Sequence, residues 1–353
     1  MANALSADLD HILANTEGLW EELRGQRVFI TGGTGFFGCW LLESFVWAND
    51  NLGLNSKVVV LTRNPDGFRN KAPHLVSHPS VRLHAGDIRS FVFPDGHFSH
   101  VIHAATEASA KLIEEDPLLM LDTIVDGTRR ALDFAKHCGA EKFLLTSSGA
   151  VYGKQPSEIT NVPEDYPGGP DTTRSSSAYG EGKRIAELLC ATYAEKHVLA
   201  AKIARCFAFV GPYLPLDTHF AIGNFIRDGM RGGPICVKGD GSPYRSYLYA
   251  ADLAVWLWTI LVRGATCREY NVGSEEGLSI AELARKVAAA CGDGIEVIVA
   301  QSPPAGVSAS RYVPSTQRAR VELGLECRIG LEESIRRTVA WNWFVAENRR
   351  RSP

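Results

Sequence analysis

Long apolar runs are missing from this chain of 353 residues: the longest, Ala254 to Val262, is far too short to span a bilayer as a helix. The opening stretch, Met1 to Trp20, carries Asp8, Asp10 and Glu17 and lacks a basic segment followed by an apolar one, which argues against a secretory leader. A cytoplasmic location, with no membrane partner, is the expectation. Charge of one sign is also scarce. With 37 Lys and Arg against 40 Asp and Glu, the formal net charge is -3, so nothing draws the whole chain to nucleic acid and any polyanion site must be local. Metal-ligand spacing is absent: Cys39, Cys138, Cys190, Cys206, Cys236, Cys267, Cys291 and Cys327 stand singly, without a CxxC pair or a histidine cluster. They read as small, buried, reduced side chains, and no metal site is expected.

What is present, 45% hydrophobic and 22% charged residues, supports one large domain or two unequal ones with a real core. From Arg27 to about Arg205 short apolar runs alternate with helical stretches. The runs Arg27–Thr31, Lys57–Thr62, Val81–His84, His100–His103, Lys142–Ser147 and Ala200–Ala204 read as buried parallel strands. Between them Phe36–Ala48, Pro117–His137 and Ala178–Lys196 carry helical periodicity, the second closed by Cys138-Gly139. The expected fold is a doubly wound α/β sheet of Rossmann type with a smaller C-terminal substrate-binding lobe. After Arg205 glycine and proline punctuate the chain, with shorter helices expected at Ile280–Cys291 and Leu331–Phe344. The division is a helical extension over 1–24, a dinucleotide-binding domain over 25–205 and mainly a substrate lobe over 206–353. The extension's apolar residues Leu9, Ile12, Leu13, Leu19, Trp20 and Leu23 suit packing on the body or on a second subunit.

Thr31-Gly32-Gly33-Thr34-Gly35-Phe36-Phe37-Gly38 leaves the first strand and opens the first helix of that alternation. In that setting Gly32 permits the turn, Gly35 admits a pyrophosphate to the backbone, and Gly38 lets helix and strand pack closely. After the second strand, an acidic residue favours NAD and a basic one NADP; here Arg63 stands in Thr62-Arg63-Asn64, which tilts towards NADP. Tyr179-Gly180-Glu181-Gly182-Lys183 is a YxxxK element on one face of a helix. A phenol titrating near 10 becomes a useful acid or base near neutrality only beside positive charge, which Lys183 supplies. Thr146-Ser147-Ser148 ends the fifth strand.

Together with His103-Ala104-Ala105, Ser147 to Gly153, Gly239-Asp240-Gly241 with Arg245, and Tyr270-Asn271-Val272-Gly273, these motifs make the chain resemble the extended short-chain dehydrogenase/reductases of the nucleotide-sugar epimerase/dehydratase family, from about Arg27 to Trp343. The resemblance implies a Ser148–Tyr179–Lys183 triad and a cofactor, NADP or NAD, held by Gly32, Gly35, Phe36, Phe37, Gly38, Arg63, Asp87, Ile88, Ala104, Ala105, Thr106, Tyr179 and Lys183. It further implies a nucleotide-diphosphate sugar as substrate, with Asn224, Arg245 and Arg311 on the diphosphate, and a homodimer built on Pro117–His137 and Ala178–Lys196.

Family members that eliminate water or lose a carboxylate resemble one another in carrying an acid directly before Val-Tyr-Gly; this chain has Gly149-Ala150 there. The resemblance therefore implies chemistry at C4, either epimerisation or reduction of a 4-keto sugar. A 4,6-dehydratase and a non-enzymatic dinucleotide sensor are the alternatives. The run Thr106-Glu107-Ala108 is similar to 4-ketoreductases. Ile124 and Ala208 stand where the family usually has Asn, which leaves the base and the sugar of the substrate open.

Overall fold

The computed structural model describes residues 3–106, 110–218, 220–303, 306 and 308–351, without the side chains of 110, 111, 113 and 348–351. Glu107 and Ala108 of the ketoreductase-like run lie outside the described residues. The expected strands form as β1 (Arg27–Thr31), β2 (Lys57–Thr62), β3 (Val81–Ala85), β4 (His100–His103), β5 (Lys142–Ser148) and β6 (Ala200–Cys206). A seventh, β7 (Glu269–Val272), joins β6. The order is β3-β2-β1-β4-β5-β6-β7, every pair parallel. Strand order reverses between β1 and β4, and such a switch point opens a crevice at the carboxyl ends of the strands.

Helices flank the sheet: α1 (Ser6–Asn15), α2 (Phe36–Leu52), α3 (Pro65–Lys71), α4 (Pro117–His137) and α5 (Ala178–Lys196) come before β6. Each face has its own core. Phe29, Phe91, Phe98 and Phe134 cluster on one face, with the Phe29 and Phe134 ring centroids 4.5 Å apart. On the other, Trp20, Trp40, Trp256 and Trp258 are buried, and their indole N–H groups find Thr16 Oγ1, the Pro212 carbonyl, the Glu326 carbonyl and Ser44 Oγ. Buried indoles need such partners, because an unmet N–H would offset part of the gain from burying the ring.

Residues 250–272 show why the chain after Arg205 is not simply a second body. α7 (Ala250–Arg263) is buried all round from Ala250 to Leu261, as an apolar helix without a polar face must be, and β7 follows it into the main sheet. β7 is only four residues long and starts on a charged Glu, so its strand character is faint in the sequence. The lobe proper has α6 (Ala221–Met230), α8 (Ile280–Cys291) and α9 (Leu331–Arg351) around Phe225, Ile226, Leu283, Val287 and Ile335. α8 starts on a reciprocal cap between Ser279 and Glu282. A small sheet sets the strand Tyr244–Arg245 between Leu278–Ser279 and Arg311–Tyr312.

The N-terminal extension packs on the body, burying Leu9, Ile12, Leu19, Trp20 and Leu23 against α2 and α7. Polar pins hold it there. Asp8 accepts from Tyr249 Oη at 2.7 Å and pairs with Arg337 of α9; His11 meets the buried Asp252 at 2.8 Å. Glu22 bridges Lys142 and the buried His100. No described helix is long and apolar enough to cross a membrane.

Candidate active site at the carboxyl ends of β1, β4 and β5

The glycine loop is wedged between strands. Gly32 has φ +72°, and a Cβ there would lie 2.5 Å from the Ala104 carbonyl. A Cβ on Gly38 would fall 2.3 Å from the Gly33 backbone, so the packing of α2 on β1 depends on its absence. Gly35 differs: only the Gly32 carbonyl lies near its Cβ position, at 3.3 Å. It N-caps α2 with no side-chain cap and no acid in the first turn. That leaves the positive end of a 17-residue helix open to an anion, which fits the pyrophosphate of a dinucleotide. The Phe37 ring packs edge-on against Phe209 at 5.0 Å, and the Phe36 ring touches both the main core and the lobe core.

At the ends of β2 and β3, Arg63 is exposed, and Asp87 is held below its usual range by its hydrogen bonds from Arg89, with the Arg63 charge adding to the effect. Ile88 is buried under Gly127 of α4. Thr34, Thr62, Arg63, Asn64, Gly67, Phe68 and Lys71 line a cavity of about 340 Å³ beside the loop. Lys71 Nζ donates to the Thr34 carbonyl at 2.9 Å. Lys71 has no motif signal and escaped the sequence reading.

Across the crevice, Ser148 ends β5 while Tyr179 and Lys183 sit in the first two turns of α5. Lys183 is buried and donates to Thr106 Oγ1 and the Thr146 carbonyl, both at 2.8 Å. Its ammonium lies 6.0 Å from the Tyr179 ring centre. Burial pushes Lys183 down to about 8 and the Tyr179 phenol up to about 12, the latter against the pull of a hydrogen bond from Ser148. Below them His103 bridges Thr31 Oγ1 (2.7 Å) and Thr128 Oγ1 (3.1 Å), and burial pushes it down to about 3. The model of the family described as "NAD dependent epimerase/dehydratase" matches residues 28–273. The chain belongs to that family. UDP-glucuronic acid decarboxylase 5 of Arabidopsis thaliana is 29% identical over 309 residues, 88% of this chain and 87% of that protein. The UDP-glucose 4-epimerase of Thermus thermophilus, solved with NAD, is 27% identical with a TM-score of 0.73, covering 89% of this chain and 98% of that one. A dTDP-glucose 4,6-dehydratase of Streptomyces venezuelae, solved with NAD, gives a TM-score of 0.76 at 23% identity over 92% of this chain and 98% of that one, a likeness of fold. With the family comes its character: this is a nicotinamide-dependent enzyme of the extended short-chain dehydrogenase/reductase kind.

The floor of this epimerase/dehydratase site is a closed polar network. Ser147 Oγ donates to Glu187 at 2.5 Å, Arg205 grips Glu187 with two nitrogens (3.0 and 2.7 Å), and Arg205 Nη1 reaches Tyr152 Oη at 3.0 Å. Tyr152 in turn donates to Asn271 Oδ1 at 2.7 Å, and Asn271 N donates to the buried Glu164. Such an interlocked set fixes the end of β5 in one arrangement.

Two lobe-side aromatics escaped the sequence reading. Tyr312 Oη lies 3.4 Å from Ser148 Oγ, and its ring packs on Phe207 with centroids 4.6 Å apart. Neither belongs to a motif; only the fold brings them to β5. Of the three residues expected at the diphosphate, Arg245 sits beside Tyr312, 5.8 Å from its ring centre. Register sets Arg311 opposite Tyr244 and Tyr312 opposite Arg245, and neighbours along a strand face opposite ways. Arg311 accordingly stacks on Tyr244 at 4.3 Å, away from Arg245. Asn224 on α6 accepts from Arg227 at 3.0 Å. Ile124 fills the apolar contact between α4 and α5, 3.1 Å from a Cβ built on Gly182, which accounts for an apolar residue at that place.

Proposed function

We propose that the enzyme transfers a hydride at C4 of the hexose in a nucleotide-diphosphate sugar, as a 4-epimerase or a 4-keto reductase. The observation that carries this reading is that Ser148, Tyr179 and Lys183 converge at the crevice while the segment after Ser148 carries no carboxylate. Two acids along the floor, Glu187 and Glu164, are engaged by Arg205 and by the Asn271 amide. A nicotinamide dinucleotide bound on the glycine loop supplies or accepts the hydride. Tyr179 moves the O4 proton, Ser148 orients that oxygen, and the Lys183 ammonium favours the tyrosinate. Arg245 and Asn224 anchor the diphosphate; Arg311, expected there from the sequence, lies on the other face of the small sheet against Tyr244 and is left out of the anchor.

For the cofactor, Arg63 supports NADP over NAD, and the cavity beside it, with Lys71 as a second cation, has room for a 2′-phosphate. A homodimer through α4 and α5 is supported by the exposure of Leu118 (71%), Ile185 (37%) and Leu188 (65%). The decarboxylase relatives favour a second reading, in which the substrate is UDP-glucuronic acid.

The test offers the holoenzyme three substrates: a 4-keto-6-deoxy sugar nucleotide with NADPH, a 4-hydroxy sugar nucleotide, and UDP-glucuronic acid. NADPH lost mole for mole with product means reduction, and product without cofactor loss from the 4-hydroxy sugar means epimerisation. Release of carbon dioxide from UDP-glucuronic acid, with neither of the other reactions, would overturn the C4 reading.

A further inference from the structure

Ser148 meets an unusual number of hydrogen-bonding neighbours for one hydroxyl. It accepts from the Ala150 amide at 3.2 Å, has Tyr312 Oη at 3.4 Å, and acts to lower both phenols, Tyr179 and Tyr312. A serine hydroxyl has two acceptor sites and one proton. If Ala150 N–H and Tyr312 O–H fill the acceptor sites, the one proton has a single remaining direction, towards Tyr179 and the oxygen it would share with substrate.

The surroundings are shaped to hold Tyr312 there. Its ring packs on Phe207 and has the Arg245 guanidinium 5.8 Å from its centre, and its strand is paired in register with Tyr244–Arg245. Gly149 leaves the space: a Cβ on it would come 2.8 Å from Tyr312 Oη and 2.7 Å from the Phe207 ring. Any side chain at 149 would compete with the Tyr312 hydroxyl for the position beside Ser148.

We propose that Tyr312 is a positioning residue of the C-terminal lobe, whose hydroxyl donates to Ser148 and thereby aims the serine proton at the reacting oxygen, with Gly149 as its seat. The proposal rests on the C4 reading for the identity of that oxygen. The separation of 3.4 Å is long between hydroxyls and suits a bond that shortens when the cleft is filled. The titratable and charged groups around the two phenols are Cys206 for both, Lys183 beside Tyr179, and Arg245 beside Tyr312.

Tyr312→Phe deletes the hydroxyl and keeps the ring on Phe207. The experiment labels the full chain with 3-fluorotyrosine, adds saturating NAD or NADP, and follows the fluorine resonance of Tyr179, assigned by its loss in Tyr179→Phe. With the donor chain through Ser148 shortened, the Tyr179 titration midpoint moves up by about half a pH unit in Tyr312→Phe. An unmoved midpoint overturns the proposal, and this readout does not depend on which sugar is turned over. On a substrate identified by the assays above, kcat falls about tenfold at nearly constant KM. A changed KM at constant kcat makes Tyr312 a substrate contact and likewise overturns it. Failure of all three substrates would remove the C4 reading, while the fluorine titration would still judge the link between Tyr312 and Ser148.

Discussion

At the ends of β5 and β6, Ser147, Glu187, Arg205, Tyr152 and Asn271 hold one another in an unbroken chain of hydrogen bonds. Beyond β2, Arg63, Asn64 and Lys71 stand around an open cavity, with Asn64 tied to the Gly67 amide and Lys71 to the Thr34 carbonyl. The first region is assembled by folding and costs nothing further when substrate arrives. The second keeps its cations exposed, where a change of one residue leaves the core undisturbed. Chemistry common to a family belongs on the first kind of surface, and selectivity on the second.

The sharpest way to break this contrast is at the phenol above that network. Tyr179→Phe should lower kcat by a factor of order 10² to 10⁴, the range of general acid–base catalysis, while sugar-nucleotide affinity by calorimetry stays within a few-fold. If the variant retains more than a tenth of its turnover, the phenol is not the proton carrier. Next in size is the acid limb of stability. His103 is near 3 in the folded chain against an ordinary 6.5, so below 6.5 the unfolded chain binds the extra proton. Stability from this group is complete above about 6.5 and drains away towards pH 3, on the order of 5 kcal/mol in all. Chemical denaturation at a series of pH values should show His103→Gln with a shallower acid limb than the parent.

A smaller effect separates two glycines of one loop. Gly38→Ala, with its methyl driven into the Gly33 backbone, should cost about 3 kcal/mol by thermal or urea unfolding. Gly35→Ala should leave unfolding within about 1 kcal/mol and weaken dinucleotide binding instead. Equal melting losses for the two would erase the distinction drawn between a glycine for packing and a glycine for approach. The smallest expected change is at the rim: Arg63→Ala and Lys71→Ala should each weaken NADP about tenfold and NAD less than about twofold in direct titrations, as loss of one charge-assisted contact implies. Parallel losses for both cofactors would remove the 2′-phosphate from the cavity.

Much of the sheet was legible in the sequence because buried parallel strands leave continuous apolar runs and because the turns at their ends need particular residues. Six strands and the helix carrying Tyr179 and Lys183 follow from periodicity alone, with ends displaced by a residue or two. β7 and α7 were hidden for opposite reasons. One is too short and too polar at its start; the other is buried all round from Ala250 to Leu261 and so has no exposed polar face to set off a stripe. Tyr312 was invisible for a third reason: its importance lies in a register between two-residue strands, Arg311–Tyr312 and Tyr244–Arg245, which no local pattern encodes. The same register separates Arg311 from Arg245, two arginines that look interchangeable on paper.

Asp8 joins the story from the far side of the molecule. One carboxylate on the first described helix takes its partners from Tyr249 and from Arg337, 241 and 329 positions downstream. During synthesis on the ribosome, that helix can find neither partner until most of the chain has emerged. These two pins form only after Tyr249 and Arg337 have been made, later than every strand from β1 to β6, so the sheet can pair before α1 is fixed at its Asp8 end.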